Sequence, residues 1–490
     1  MKRVALLFAG TLLLSSCMLA PKYERAPGVV PQEYRFQAVA GQPQPQPASL
    51  ADLSWWEIFD DPVLQGLIRT ALANNYDVRL AVARVAEARS AAGVSRSYWL
   101  PQVGGTALFQ REKLSRTSVN PPLPAGTKVT DNLAQFNFDL FWEIDLFGRL
   151  RSLSEAARAE FFASRWGQRA VWATVVADVA RAYFELRSLD RQLEIARSTL
   201  ASYEKSRRLV MLRHQRGMVS GQDVAQVDAL VHTAGAKIPD LERQIGQKEN
   251  EICILLGINP QPIRRGKPLP ELVVRAQVPA GLPSALLERR PDIRQTEEVL
   301  IAANYRIGAA RANFFPRITL TGFAGTQSAD LGRLFTGPSS IWNIGPTLTL
   351  PIFTAGFNYY TLQATKAQKE QALILYQFTV RQAFREVSDG LLAHYKFHQF
   401  RQQQEALVRS YQKYSNLANK RYKGGIASYL AVLDADRQLF TAELDLAVVE
   451  QNQLLTLVQL YKALGGGWET EGKSRQAGLP VIHPANTAKQ

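Results

Sequence analysis

Few residues of this chain stand at spacings that could do chemistry. His394 and His398 lie four apart in a stretch without proline, a spacing that puts both imidazoles on one face of a helix and could hold a metal ion. No acidic third ligand follows at motif distance, so the two read as a surface histidine pair and no metal site is expected. Ser220-x-x-Asp223 has the pattern of a capping box, in which an acid closes a helix N-terminus. Asp434 falls in the second turn after a similar cap residue, Ser428. Cys253 sits among Ile252, Ile254, Leu255 and Leu256, as a small buried hydrophobe does. There is no nucleophile elbow, P-loop, dinucleotide fingerprint or HExxH. The chain therefore reads as no enzyme, with no cofactor.

The other cysteine has a chemistry of its own. Lys2 and Arg3 precede an apolar run from Val4 to Leu14, and Ser15-Ser16-Cys17 closes it, the order of a secretory signal over 1–16. The run is too short to span a bilayer. Leu14-Ser15-Ser16-Cys17 also resembles a bacterial lipobox, in which cleavage leaves the cysteine first, its thiol linked to diacylglycerol and its amine acylated, often with palmitate. Cys17 is thus the expected lipid anchor. Met18 follows, where an aspartate would suggest inner-membrane retention. With only two cysteines, a disulfide framework and a Cys-rich zinc site are excluded.

The elements that must carry these residues are long. The 490 residues are 46% apolar and 21% charged, a globular composition, and the charge of +15 comes from basic residues scattered between acidic ones rather than gathered in a nucleic-acid-binding stripe. The sequence matches itself: Tyr203 to Gly257 lies on Tyr411 to Gly465 without a gap, pairing Lys205, Arg213, Gly217, Ser220 and Asp228 with Lys413, Arg421, Gly425, Ser428 and Asp436 at an offset of 208. Upstream, Asp77, Gly93, Arg96 and Pro101 meet Asp292, Gly308, Arg311 and Pro316 at an offset of 215. Each half reads helix, strand pair, very long helix, tight turn, shorter helix.

Leu150 to Arg216 is free of proline for 67 residues, and Phe357 to Tyr422 for 66, so each predicts a rod of roughly 100 Å. Ser220 to Leu256 and Ala285 to Ala312 predict the shorter helices. Apolar or small residues at Val227, Val231, Ala234, Ile238, Leu241, Ile245, Ile252 and Leu255 make a coiled-coil seam, with Lys248 the one polar interruption; Leu189, Leu193, Ala196, Leu200 and Tyr203 do the same on the preceding helix. The proline-rich stretch Pro260 to Pro283 lacks helical period and predicts a connector wrapped around the middle of the rod.

No stretch beyond the signal approaches the ~20 uninterrupted apolar residues of a membrane helix. Strands are the alternative. Phe136, Phe138, Leu140, Trp142, Ile144 and Leu146 alternate with Asn137, Asp139, Phe141, Glu143 and Asp145, Ile318 and Leu320 with threonines, and Ile344, Leu348, Leu350 and Ile352 with Thr347 and Thr349; Gln102 to Gln110 is weaker. Four strands cannot close a membrane barrel, because the smallest use about eight, so several copies must share one.

These features resemble the TolC-like outer membrane factors, in their OprM-like lipoprotein branch serving resistance-nodulation-division (RND) efflux systems. The resemblance rests on the lipobox with Leu19-Ala20-Pro21, Trp55-Trp56 with Phe59 and Asp61-Pro62, Arg289-Arg290-Pro291-Asp292-Ile293-Arg294, Phe315-Pro316, Gly425 with Ser428 and Val432-Leu433-Asp434-Ala435, and Leu464-Gly465-Gly466-Gly467-Trp468. It implies a mainly α fold with a membrane β part: a homotrimeric twelve-stranded outer-membrane β-barrel continuous with a long periplasmic α-helical coiled-coil barrel, with two internal repeats per chain. The organisation is then a lipid-anchored extended segment over 17–61, a first repeat over 62–257, an equatorial connector over 258–284, a second repeat over 285–465, and a tail over 466–490. The resemblance further implies a passive duct in the outer membrane of a Gram-negative bacterium, exporting drugs or small toxic compounds from the periplasm. Its partners would be a periplasmic adaptor (membrane fusion) protein, an inner-membrane RND transporter and outer-membrane lipid, with no nucleic acid. The duct of a type I protein secretion system is the alternative within the same architecture, and an envelope spacer the alternative outside it.

Carried over by position, Tyr422 and Asp223 form one link of the periplasmic gate, Asp434 a ring that narrows the pore, and Leu430 an apolar constriction. The turns at Gly217 and Ser220 and at Gly425 and Ser428 are where adaptor hairpins would dock. Two departures stand out: Gly221 adds a glycine at a helix start, and Ala431 precedes Val432-Leu433-Asp434 where some members carry another aspartate.

Overall fold

The structure, a computed structural model, describes residues 18–25, 30–37, 48–115, 124, 126, 129–272 and 278–468. The helices among them are α1 (Trp55–Ile58), α2 (Pro62–Asn74), α3 (Tyr76–Ser97), α4 (Arg149–Gln215), α5 (Gly221–Leu256), α6 (Pro283–Arg289), α7 (Pro291–Ala312), α8 (Phe357–Lys423) and α9 (Tyr429–Ala463). The strands are β1 (Gln102–Lys113), β2 (Thr130–Ile144), β3 (Arg317–Ser328) and β4 (Ser340–Thr349). The chain folds into two compact units. One comprises 1–26, 85–164 and 296–376, the other 27–84, 165–295 and 377–490.

The first unit holds the sheet. Its strands run antiparallel in the order β1-β2-β3-β4, and the register decides what each face carries. Phe138 pairs with Gly105 and Ala324, Leu140 with Val103 and Gly322, and Ile318 with Ile144 and Leu348, so one face is almost wholly apolar. Asn137 pairs with Thr106 and Gly325, Glu143 with Thr319, and Thr319 with Thr347, so the other is mostly polar. The alternation expected through Leu146 stops at Ile144, because the Asp145 carboxylate turns to accept from Leu150 N (3.1 Å) and Arg151 N (2.8 Å) at the start of α4. Likewise β4 ends before Ile352, where Pro351 cannot donate to the ladder.

Residues 18–25 lie across α7 within this unit. Asn304 Nδ2 donates to Pro21 O (2.6 Å), Arg311 Nη1 to Leu19 O (3.3 Å), and Arg25 pairs with buried Glu297 (2.7 Å). Gly308 makes this approach possible: a Cβ there would lie 2.7 Å from the N and Cα of Ala20. Behind it Ala156, Ala159 and Ala302 let α4 and α7 pack closely.

The second unit is a layer of long helices. Ile195, Ala196, Leu241, Phe440 and Ala447 form one buried cluster, with Leu189, Leu193 and Ile238 against it, so the heptad seams on α4 and α5 are core. Lys248, the polar interruption, bridges Glu185 (2.7 Å) and Glu251 (2.5 Å). Burial opposes its charge, but the two carboxylates outweigh that and hold its pKa above the ordinary lysine value. The helix expected as one piece over Ala285 to Ala312 is two, α6 and α7, because Pro291 forces Arg290 to an extended ψ of 120°.

The sequence signatures prove to be fastenings. Asp61 is 1% exposed; it caps α2 through Val63 N (2.8 Å) and also accepts from Tyr183 Oη (2.7 Å) and from Lys267 N (3.1 Å) of the connector. The connector is further held by Arg265 on Asp190 and Glu249, so it lies across α4 and α5. Arg290 binds Asp292 (2.6 Å), Glu386 (2.7 Å) and Ala463 O (3.0 Å), joining the start of α7 to α8 and the end of α9. Trp468 Nε1 donates to Arg289 O (3.1 Å), and Arg169 lies over its ring. Among the described residues no helix is long and apolar enough to cross a membrane.

Candidate functional site at the helical turns

The two turns singled out in the sequence meet in the second unit. The last residues of α4 and α8 and the first of α5 and α9 share a cluster of Val210, Val227, Ala418, Tyr422, Tyr429, Val432, Leu433 and Ala435. Each long helix ends in the same hydrogen-bonded stop. Gly217 N donates to His214 O and Met218 N to Arg213 O, both at 2.9 Å; Gly425 N donates to Tyr422 O (3.0 Å) and Ile426 N to Arg421 O (2.9 Å). Such a stop needs a left-handed residue, and Gly217 and Gly425 have φ of 72° and 73°. Nothing lies within 4 Å of a Cβ built on either glycine, and Met218 and Ile426, one residue on in each turn, are exposed.

The two helix starts differ. Ser220 and Asp223 form a full capping box: Asp223 N donates to Ser220 Oγ (3.3 Å), and Asp223 Oδ2 accepts from Ser220 N (2.9 Å) and Ser220 Oγ (2.8 Å). Ser428 makes no side-chain cap bond. The third residue of its helix is Ala431, which has no carboxylate to reach back.

Within one chain Asp223 is therefore engaged by its own helix and does not meet Tyr422. Tyr422 is buried, its ring packed against Tyr429 (5.0 Å between centroids) with the Arg213 guanidinium 4.5 Å over it, and its hydroxyl has no hydrogen-bond partner. Burial pushes Tyr429 up to about 12. Leu430 is 59% exposed. Asp434, one turn on, is partly exposed and paired with Arg437 at 3.1 Å.

Sequence reading missed a half-buried acid beneath these residues. Asp436 accepts from Ser415 Oγ, and burial raises its carboxyl above the ordinary range. At the matching positions of the other half, 208 residues earlier, Arg207 Nε meets Asp228 at 2.5 Å. The offset was legible; that one acid has a cation and the other a hydroxyl emerges only when partners across helices are compared.

The remaining candidates lie elsewhere. Cys17 lies outside the described residues. His394 is 4% exposed, which corrects the expectation of a surface pair: it faces into the helical layer, while His398 Nε2 lies 3.1 Å from Gln402 Nε2 on the same helix. Cys253 is buried as expected and also hydrogen-bonds the connector, its Sγ donating to Gln261 O (3.3 Å).

A family model described as "Outer membrane efflux protein" matches residues 67–258 and 282–466. The chain is 40% identical over 476 residues to the toluene efflux pump outer membrane protein TtgF of Pseudomonas putida, covering 96% of this chain and 98% of that one. It is 34% identical to the probable outer membrane lipoprotein SilC of Salmonella typhimurium, over 93% of this chain and 97% of SilC. The crystal structure of the open state of the Neisseria gonorrhoeae MtrE outer membrane channel superposes with a TM-score of 0.82 at 32% identity, covering 92% of this chain and 99% of MtrE.

Proposed function

Because the chain belongs to the outer membrane efflux protein family, matched over both of its halves, we propose that it is the outer-membrane exit duct of a tripartite efflux pump, a passive conduit and not an enzyme. The observation that carries this reading is the sheet. Its apolar face suits lipid and its polar face water, while β1 and β4 expose open edges that a membrane cannot tolerate. Closing those edges on other copies is the remedy, and three copies of four strands supply twelve, an even number above the minimum of about eight. The chain is thus a homotrimer of two-repeat protomers, with a helical barrel on the periplasmic side.

The mature chain divides into the anchored segment 17–61, the repeats 62–257 and 285–465, the connector 258–284 and the tail 466–490. Acylated Cys17 holds it to the outer membrane of a Gram-negative cell. The turns at Gly217, Ser220, Gly425 and Ser428 receive the hairpins of a periplasmic adaptor, and the inner-membrane partner is an RND transporter. Support for docking comes from open glycines followed by exposed Met218 and Ile426. Leu430 and Asp434 narrow the resting pore. Tyr422 and Asp223 link neighbouring coiled coils. The cargo is of the class named for TtgF, toluene and similarly small toxic compounds.

The test is a host lacking other outer-membrane ducts but carrying the cognate adaptor and transporter. Restored toluene and drug tolerance, together with a trimer on blue-native gels, is expected on adding this chain. Unchanged tolerance with a correctly assembled trimer would overturn the efflux assignment, and a monomer in the outer membrane would overturn the shared barrel.

A further inference from the structure

The polar face of the sheet is not uniformly polar. Phe323 stands on it directly opposite Asp139, and Phe141 stands on it two residues along β2, opposite Gln102 and Thr321. Residues paired across antiparallel strands have Cβ atoms about 5 Å apart, so a carboxylate and two aromatic rings share one patch. Phe141 is 51% exposed. On the β1 side Asp139 faces Gly104, where a Cβ would meet nothing within 4 Å, so the patch is open on that flank.

The carboxylate is held in place. Asp139 Oδ2 accepts from Thr106 Oγ1 (2.8 Å) and Oδ1 from Asn137 Nδ2 (2.5 Å), and Gln135 Nε2 donates in turn to Asn137 Oδ1 (2.9 Å). No Lys, Arg or His lies within ion-pair distance of it among the described residues, whereas Glu143, the next acid on that face, is taken by Arg149 through two contacts of 2.6 and 2.8 Å. A fixed carboxylate with no cation of its own among the described residues, beside two aromatic rings, matches a ligand combining positive charge with apolar bulk.

We propose that Asp139, Phe141 and Phe323 form a weak binding station for lipophilic organic cations on the inner wall of the barrel. The station rests on the duct reading, since that makes the polar face the inner wall. It is separate from the helical turns and gives the duct a preference of its own near its outer end. Its strength is that of exposed contacts, so cargo is retained briefly and released.

The experiment uses the detergent-solubilised full-length protein in planar bilayers, with tetraphenylphosphonium as the cationic probe and triphenylphosphine oxide as its neutral counterpart. The wild type should be blocked at lower concentration by the cation than by the neutral compound. Asp139→Asn should raise the half-blocking concentration of the cation by roughly two- to fivefold and leave that of the neutral compound unchanged; Phe323→Leu should raise both by a similar factor. Asp139→Glu, which keeps the charge, should stay near wild type. Unaltered block by the cation in Asp139→Asn channels of normal conductance would overturn the station, while absence of any conductance in the wild type would overturn the duct reading instead.

Discussion

Gly308 and Gly93 occupy matching positions on α7 and α3, yet one is covered by the N-terminal segment and the other is bare. This pairing allows one substitution to be made twice with opposite expected results. In an open helix Gly→Ala gains up to about 1 kcal/mol, because alanine loses less backbone entropy. Gly93→Ala has nothing within 4 Å to meet and should show that gain. In Gly308→Ala the new methyl would lie 2.7 Å from the backbone of Ala20, closer than carbon atoms approach, so residues 18–25 must lift away. Lifting removes the hydrogen bonds from Asn304 and Arg311, worth about 1 kcal/mol each, and the Arg25 pair with Glu297. A net loss of about 2 kcal/mol corresponds to roughly 30-fold greater exposure of the segment. Trypsin reports this directly, since Lys22 and Arg25 lie within it. Cleavage there, followed by mass spectrometry on the membrane-anchored protein, should accelerate by that factor in Gly308→Ala and not in Gly93→Ala. Equal cleavage rates in the two variants would refute the docking of the segment on α7.

Four further outcomes concern the turns and the helix starts beside them. Gly425→Trp places a large side chain at a φ of 73° on an open surface, and should abolish drug export while trimer and anchoring persist; unchanged tolerance in that mutant would remove the turn from adaptor docking. Asp434→Ala should weaken cation selectivity and block by polyvalent cations in bilayer recordings, whereas Tyr422→Phe with Asp223→Ala should raise resting conductance; the second change also removes a cap worth about 0.5–2 kcal/mol, so unchanged conductance with a lowered Tm would leave Asp223 as a helix cap alone. Asp436 has a folded-state pKa above its unfolded one, so its contribution to stability is complete below the ordinary carboxylate range and is lost as pH rises through the raised value. Asp436→Asn keeps an acceptor for Ser415, and melting curves from roughly pH 4 to pH 8 should show it more stable than wild type at the upper end and no different at the lower; a lower Tm at neutral pH would contradict the assignment.

The parts of the fold that were legible are those governed by period and by proline. The absence of proline let α4 and α8 be read as unbroken, and Gly217 and Gly425 just beyond them marked their ends to within a residue or two, while Lys248 was legible as an interruption although not as the bridge between Glu185 and Glu251. Pro291 was equally visible, yet its effect on Arg290 was not read, and one helix was expected where two stand. At the turns, the capping pattern of Ser220 and Asp223 was plain because it is local. What stayed hidden depends on partners far apart in the chain: the hydroxyl that Ser415 gives Asp436, the burial of His394, and the docking of residues 18–25, which have no periodicity to announce that α7 holds them.

The open edges of the sheet bear on how the protein reaches its destination. Strands β1 and β4, of 12 and 10 residues, leave a row of unpaired amide and carbonyl groups along each side, backed by an apolar face. Nothing in the sheet itself distinguishes a proper neighbour from any other extended chain, and edges of this kind are templates for aggregation. If those edges close on other copies, as proposed, a newly exported copy is at its most vulnerable in transit, before the others arrive. On that proposal, yield in the cell should depend on how quickly a copy reaches its neighbours, more than on the stability of the finished assembly. Overproduction that outruns this traffic should fill the periplasm with insoluble strands while the count of working ducts stays flat.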